Sequence, residues 1–366
     1  MAKSASEERI RENHTHPVTR GSWWARWPEW STYLAVLWSV LYGLAGLYWA
    51  MGGEGYPFEK TIDDRSSVSI LEPSRAEVVA PLIVLFCAVG VVAGVLMLRN
   101  RSIGRSRKAI LAVGWVTACV LAFLIPDYSL LGLVAFSPVL VVFLFTGVPG
   151  QQDLGDIVYW HRGNLIIVFI GGLLWAAATI AYQRRSSNQC QHCGRGAKAA
   201  AAWTRPEAAL RWGRLAVWVS VLSTLPYDIT RLAWYFGWPL GIQDDFLQEM
   251  EDTTGMLELG LALAIASTLG SLLSHGLVSR WGEVWPRWVW FKKGKRIHPA
   301  TAIVPASIVA VVLIPGGLMN IRAVEAHEWG AAGPGIFWVV WGAALGAATF
   351  SYYLRRRSQC KYCHQG

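Results

Sequence analysis

The sequence predicts an all-α integral membrane protein: about eight transmembrane helices in two parallel-repeat halves of four, plus one extra apolar segment that is either re-entrant or a ninth span. Three observations carry this expectation. The 366 residues are 54% hydrophobic and only 16% charged, against roughly 25% charged in soluble domains. The apolar residues fall in runs of about 20, the length that crosses ~30 Å of hydrocarbon. Finally, the chain carries one tail twice. Ala176 to Gly196 reads A-A-A-T-I-A-Y-Q-R-R-S-S-N-Q-C-Q-H-C-G-R-G, and Gly346 to Gly366 reads G-A-A-T-F-S-Y-Y-L-R-R-R-S-Q-C-K-Y-C-H-Q-G.

Residues 1–31 are polar, arginine-bearing and tryptophan-rich, and no short apolar core with a small-residue cleavage site follows. The expectation is a cytoplasmic segment without a removable signal peptide. The first repeat, 32–196, holds the spans Thr32–Met51, Val78–Leu98, Ala109–Ile125 and Leu165–Tyr182 and ends in Cys-x-x-Cys. A basic cytoplasmic linker, 197–214, follows. The second repeat, 215–366, holds Leu215–Phe236, Met256–Val278, Thr301–Met319 and Ile336–Leu354 and ends the same way.

Basic residues set the sidedness. With eight crossings and both termini in the cytoplasm, 27 of the 33 Lys/Arg fall on inner segments and five on outer loops. That is a strong positive-inside pattern and places the chain in the cytoplasmic (plasma) membrane. It also bears on Ser129–Thr146, whose full crossing would move every later basic loop outside. This segment is therefore read as re-entrant from the outer face, broken at Ser137-Pro138, with a ninth span as the alternative. The net charge of +9 is assigned to these inner loops against an anionic leaflet rather than to nucleic acid.

The duplication extends beyond the tails. Glu77 and Arg99 stand 22 positions apart, as do Glu258 and Arg280, a rise of ~33 Å, about one membrane thickness. Both third spans end in Leu-Ile-Pro, at Pro126 and Pro315. Because both halves enter from one side, the repeat is parallel, about an axis along the membrane normal.

Cys190, Cys193, Cys360 and Cys363 form two Cys-x-x-Cys pairs at equivalent places, the ligand set of a tetrahedral structural Zn²⁺ shared between the halves. His192 and His364 are alternative ligands or neighbours. A redox dithiol is the competing reading, and the cytosol argues against a permanent disulfide. Asp228 and Arg231, three apart in one span, face one side of a helix where the first half has Gly43 and Gly46. Charges inside a span mark a substrate or ion pathway, or else a structural or snorkelling ion pair. His275, where the first half has Gly94, is a proton-relay candidate or a packing histidine. The outer acids Asp244, Asp245, Glu249, Glu251 and Asp252 match no calcium loop, and Glu325, His327 and Glu328 form no zinc-enzyme motif.

The loop Trp281 to Arg296, W-G-E-V-W-P-R-W-V-W-F-K-K-G-K-R, alternates indoles with bases and suits the headgroup layer. Through Trp281, Gly282, Glu283, Pro286 and Arg287 it resembles a set of uncharacterised actinobacterial polytopic membrane proteins with a W-G-E-x-x-P-R cytoplasmic loop. The resemblance implies a membrane protein and no particular activity.

Phosphate-cradling loops, His-Glu-x-x-His and Gly-x-Ser-x-Gly are absent from the sequence. The leading expectation is a permease-like transporter with a cytoplasmic four-cysteine zinc clasp and no other cofactor. The alternative is a regulator or scaffold that recruits a cytoplasmic protein through its Cys-x-x-Cys tails. A membrane enzyme acting on lipid ranks third. The lipid bilayer is the expected partner in all three readings, and nucleic acid in none.

Overall fold

The computed structural model describes residues 23–59, 69–99, 104–135, 137, 159–196, 201–253, 255–287, 290, 292–324 and 328–365. Among these the chain is helical, with a single isolated β-bridge, Val284 to Arg296.

Among the described residues, seven helices are long and apolar enough to cross a membrane. They are α1 (Trp27–Ala50), α2 (Ala76–Arg99), α3 (Arg105–Cys119, continued by the π turn Val120–Leu124), α4 (Trp160–Ser186), α7 (Met256–Ser274), α8 (Pro299–Ala323) and α9 (Trp329–Arg356). Their lipid-side residues are exposed leucines and valines such as Leu41, Leu44, Leu82, Leu85 and Val92. So much contiguous apolar surface is expected in hydrocarbon and not in water. The remaining expected span lies within α5 (Pro206–Tyr235), whose 30 residues extend ~45 Å. Asp228, Arg231 and Pro226 lower its apolar character, which separates it from the other seven. Between α5 and α7 sits the short amphipathic α6 (Asp244–Asp252), with both aspartates of its first turn at the positive end of the helix dipole.

The helices pair in the same order twice. In the first half α1 packs on α2 and α4, and α3 packs on α4; in the second, α5 packs on α7 and α9, and α8 packs on α9. Glycines permit close approaches in both halves. A Cβ on Gly172 of α4 would stand 2.6 Å from the Ala122 backbone N, and one on Gly342 of α9 would stand 2.6 Å from the Ala310 carbonyl O. Glycine lets the backbones touch, as small residues do in membrane bundles. Near the ends of α4 and α9, Tyr182 and Tyr352 are fully buried. Thr179 and Thr349 each return a hydroxyl to the carbonyl four residues back, Trp175 and Leu345, at 2.7 and 2.8 Å.

The halves differ where the second and third helices meet. α2 packs directly on α3, whereas α7 and α8 stand apart around a cavity roofed by Trp281, Gly282, Trp285, Pro286 and Ile297 of the connection between them. Across the halves, α8 packs on the π turn of α3. The segment Ser129–Thr146 begins helically at 129–135; residues 138–146 lie outside the described residues, as do 1–22, 197–200, Glu325 and His327.

Candidate metal centre

Each Cys-x-x-Cys follows the last turn of an arginine-ended helix, and each folds into the same short backbone loop. Cys190 N–H donates to the Arg195 carbonyl at 2.7 Å and Gly194 N–H to Cys190 O at 2.8 Å; Cys360 N–H donates to Gln365 O at 3.0 Å and His364 N–H to Cys360 O at 2.9 Å. The residue after the second cysteine takes a left-handed conformation in both, Gly194 at φ +73° and His364 at φ +54°. Glycine adopts this freely; histidine does so at some cost, and its presence at the matching place shows that the turn dictates the geometry.

The two loops face each other. Cys190 Sγ lies 4.0 Å from Cys360 Sγ, and Cys193 Sγ lies 3.5 Å from Cys363 Sγ. All four sulfurs fall within 4.8 Å of one another, close enough to share one metal ion. Backbone N–H of Arg195 points at Cys193 Sγ, 3.4 Å away. Burial pushes the Cys193 thiol up to about 12, with the neighbouring thiols adding to the rise. In Cys360 burial acts in the same upward direction, but the N–H groups of Tyr362 and Cys363 and the thiols of Cys363 and Cys193 outweigh it and hold the group at about 7. A cluster in which one thiol titrates near neutral pH yields a thiolate readily to a cation.

The histidines stand beside the cluster. His192 stacks on Tyr362 across the halves at 3.5 Å and hydrogen-bonds the Ala25 carbonyl at 2.9 Å, while His364 is exposed. Arg195 of the first loop donates to the carbonyls of Ser358 and Gln365 in the second. Arg185 and Arg355, both five residues before a cysteine, each reach a carbonyl near the end of their half's second helix, at Met97 and Leu277. The repeated R-R of the tails was legible as charge; its role as a staple to a neighbouring helix end was not. Glu283 of the W-G-E loop accepts from Arg355 at 2.9 Å and lies 3.8 Å from Arg356, which ties that loop to the second tail.

The intramembrane candidates are brought together only in part. Asp228 is 5% exposed between α5 and α7, where Thr268 donates to its Oδ2 at 3.1 Å. Thr224 and Ser267 also face it, yet Oδ1 and the Ser267 hydroxyl close no hydrogen bond. Arg231 does not pair with it. Its guanidinium donates to the Gly330 and Ala331 carbonyls of α9, both at 3.1 Å, and lies over the rings of Trp234 and Tyr227. His275 sits a full turn or more further in, edge-on to Trp218, with Nδ1 3.3 Å from the Ser271 carbonyl. Thr224 and Ser271 meet at 3.2 Å between these groups, so a buried polar seam runs along the α5–α7 contact. At the matching first-half positions stand Ser39, Gly43, Cys87, Gly90 and Gly94. Asp127, fully buried at the end of α3, went unnoticed in the sequence because it follows a span instead of lying within one. Its Oδ1 accepts from the Ser129 N–H at 2.8 Å.

These features define a class: an all-α polytopic membrane protein with a cluster of four cysteines, from two chain-distant tails, that could hold a metal ion. No protein family, curated protein or solved structure matches the chain, so function is argued from its own geometry.

Proposed function

We propose that the protein is a permease-like membrane protein of two repeat halves, fastened at their cytoplasmic ends by a structural Zn²⁺ on Cys190, Cys193, Cys360 and Cys363. The observation that carries the proposal is the convergence of four thiols from tails 170 residues apart. A tetrahedral Zn²⁺ with ~2.3 Å bonds separates its sulfurs by roughly 3.8 Å, and two of the cross-half pairs measure 3.5 and 4.0 Å. A closed set of four thiolates leaves no position open for substrate, which makes the ion a staple rather than a catalyst. The 27-to-5 distribution of basic residues supports the cytoplasmic placement.

The permease reading is supported by the α5–α7 seam. A carboxylate held between helices with one oxygen free is costly in hydrocarbon and marks a pathway in membrane proteins, and only the second half carries one at this place. The test uses purified protein. One zinc per chain is expected by elemental analysis, falling to near zero in Cys193→Ser/Cys363→Ser; metal-free wild type would remove the clasp. In vesicles holding a pH-sensitive dye, the wild type is expected to dissipate an imposed proton or sodium gradient and Asp228→Asn is not. Equal leak from both would remove the permease reading and favour a zinc-fastened scaffold.

A further inference from the structure

The cavity between α7 and α8 measures about 400 Å³, within the ~300–1,000 Å³ of ordinary ligand sites. Its walls are apolar, with Ser274 and Thr301 the exceptions among the side chains, and Trp281, Trp285 and Trp341 give most of its aromatic surface. In the first half the matching helices, α2 and α3, are in direct contact.

The roof is a built structure. Ile297 N–H donates to Glu283 O at 2.9 Å and Trp285 N–H to Lys295 O at 3.0 Å, flanking the Val284–Arg296 bridge. Trp281 covers Gly276, and a Cβ on Gly282 would overlap the Gly276 carbonyl. Tyr352 of α9 donates to Gly282 O at 2.7 Å. These contacts account for the W-G-E motif: the indole closes the cavity, the glycine permits the approach, and the glutamate binds the tail arginines.

Two observations identify the occupant. The flanks of α7 and α8 beside the cavity, at Leu272, Leu273, Val304 and Ile308, are exposed apolar side chains on helices of membrane-spanning length, a surface suited to hydrocarbon, so a surrounding bilayer would supply acyl chains. The roof supplies charge: Arg280, Arg287, Lys292, Lys293, Lys295 and Arg296 are exposed on it, and its one acid, Glu283, is neutralised by Arg355 and Arg356. Cations adjoin the lining itself, since Arg296 precedes Ile297, Arg287 follows Pro286, and Lys292 Nζ lies 5.1 Å from the Trp285 ring centre. We infer that this cavity seats an acyl chain of one anionic glycerophospholipid, with its phosphate held by the basic roof. Basic pockets between transmembrane helices recognise anionic headgroups in this way. The site is independent of whether the clasp holds zinc.

The test is lipid binding to the delipidated full-length protein by native mass spectrometry, with dioleoyl-phosphatidylglycerol and dioleoyl-phosphatidylcholine as competing probes. One phosphatidylglycerol is expected to bind in preference to phosphatidylcholine. Lys292→Gln/Arg296→Gln should cut that preference about tenfold or more, because each cation near the surface adds to the attraction for an anionic headgroup. Ala302→Trp, which fills the cavity, should lower the binding of both lipids, with size-exclusion behaviour confirming that the variant is intact. Equal binding of the two probes by the wild type would overturn the inference without any variant. So would a folded Ala302→Trp protein that binds phosphatidylglycerol as the wild type does.

Discussion

The thiols of Cys193 and Cys360 are driven apart by their surroundings, one up to about 12 and the other down to about 7. A bound metal replaces all of the thiol protons, so its affinity rises with pH and falls on acidification. The sign follows from the ligand: metal-bound thiolate is the deprotonated form, so its contribution is full above the free-thiol range and is lost as pH falls. Zinc binding is therefore expected to weaken as pH falls through about 7, where the lowest of the cluster's thiols takes up its proton, with more than one proton taken up per ion released. A chromophoric chelator in a pH titration reads this directly. A single-proton profile would mean that fewer than four cysteines hold the metal. At the same scale the sequence was informative about which residues matter and less so about their partners. Cysteine spacing pointed to the two Cys-x-x-Cys turns because short-range turn chemistry fixes them, whereas their meeting across 170 residues comes from the fold. The pairing of Asp228 with Arg231 did not form, because the α9 carbonyls at Gly330 and Ala331 offer the guanidinium neutral acceptors and two aromatic faces lie beside it. Tertiary contacts of that kind leave no trace in local spacing.

Among the elements, α4 and α9 organise their halves, each touching the first and third helices around it. Their apolar length and arginine-rich ends were plain in the sequence, since hydrocarbon thickness and headgroup charge act on each helix separately. The glycine contacts at Gly172 and Gly342 were not, because thirty-six glycines are spread through the chain and only the fold shows which ones touch backbone. Replacing either by leucine drives a side chain into main-chain atoms that cannot rotate away. The expected cost is about 2 kcal/mol or more, at the upper end of overpacking effects, read as a lower thermal midpoint in detergent. Gly163→Leu in the first turn of α4 is the control, as nothing lies within 4 Å of its added Cβ, and there leucine's better helix propensity should be neutral or stabilising. The cavity beside α7 belongs to this scale too. The tryptophan–base alternation of 281–296 suggested a loop at the headgroups, but that it roofs a space between two helices depends on α7 and α8 standing apart.

For the molecule as a whole, the question is what holds two four-helix units in one arrangement. Membrane helices associate without a hydrophobic driving force between them, so a modest contact such as α8 against the 120–124 turn leaves the halves weakly coupled. The tails add a second connection: the four thiols, the His192–Tyr362 stack and the Arg195 bonds to Ser358 and Gln365 all cross between halves on one face. An ion ligated by both tails raises the effective concentration of one half beside the other, as any tether does. The linker between Gly196 and Pro206 should then be dispensable for assembly while the clasp is intact. Expressed as separate chains, 1–200 and 201–366 are expected to co-purify from detergent with zinc bound. They should part when a chelator is added or when Cys360 and Cys363 are replaced by serine, with each fragment still helical by circular dichroism. Fragments that stay together without zinc would show instead that the buried contacts of α3 and α8 suffice, and would reduce the clasp to local ordering of the tails.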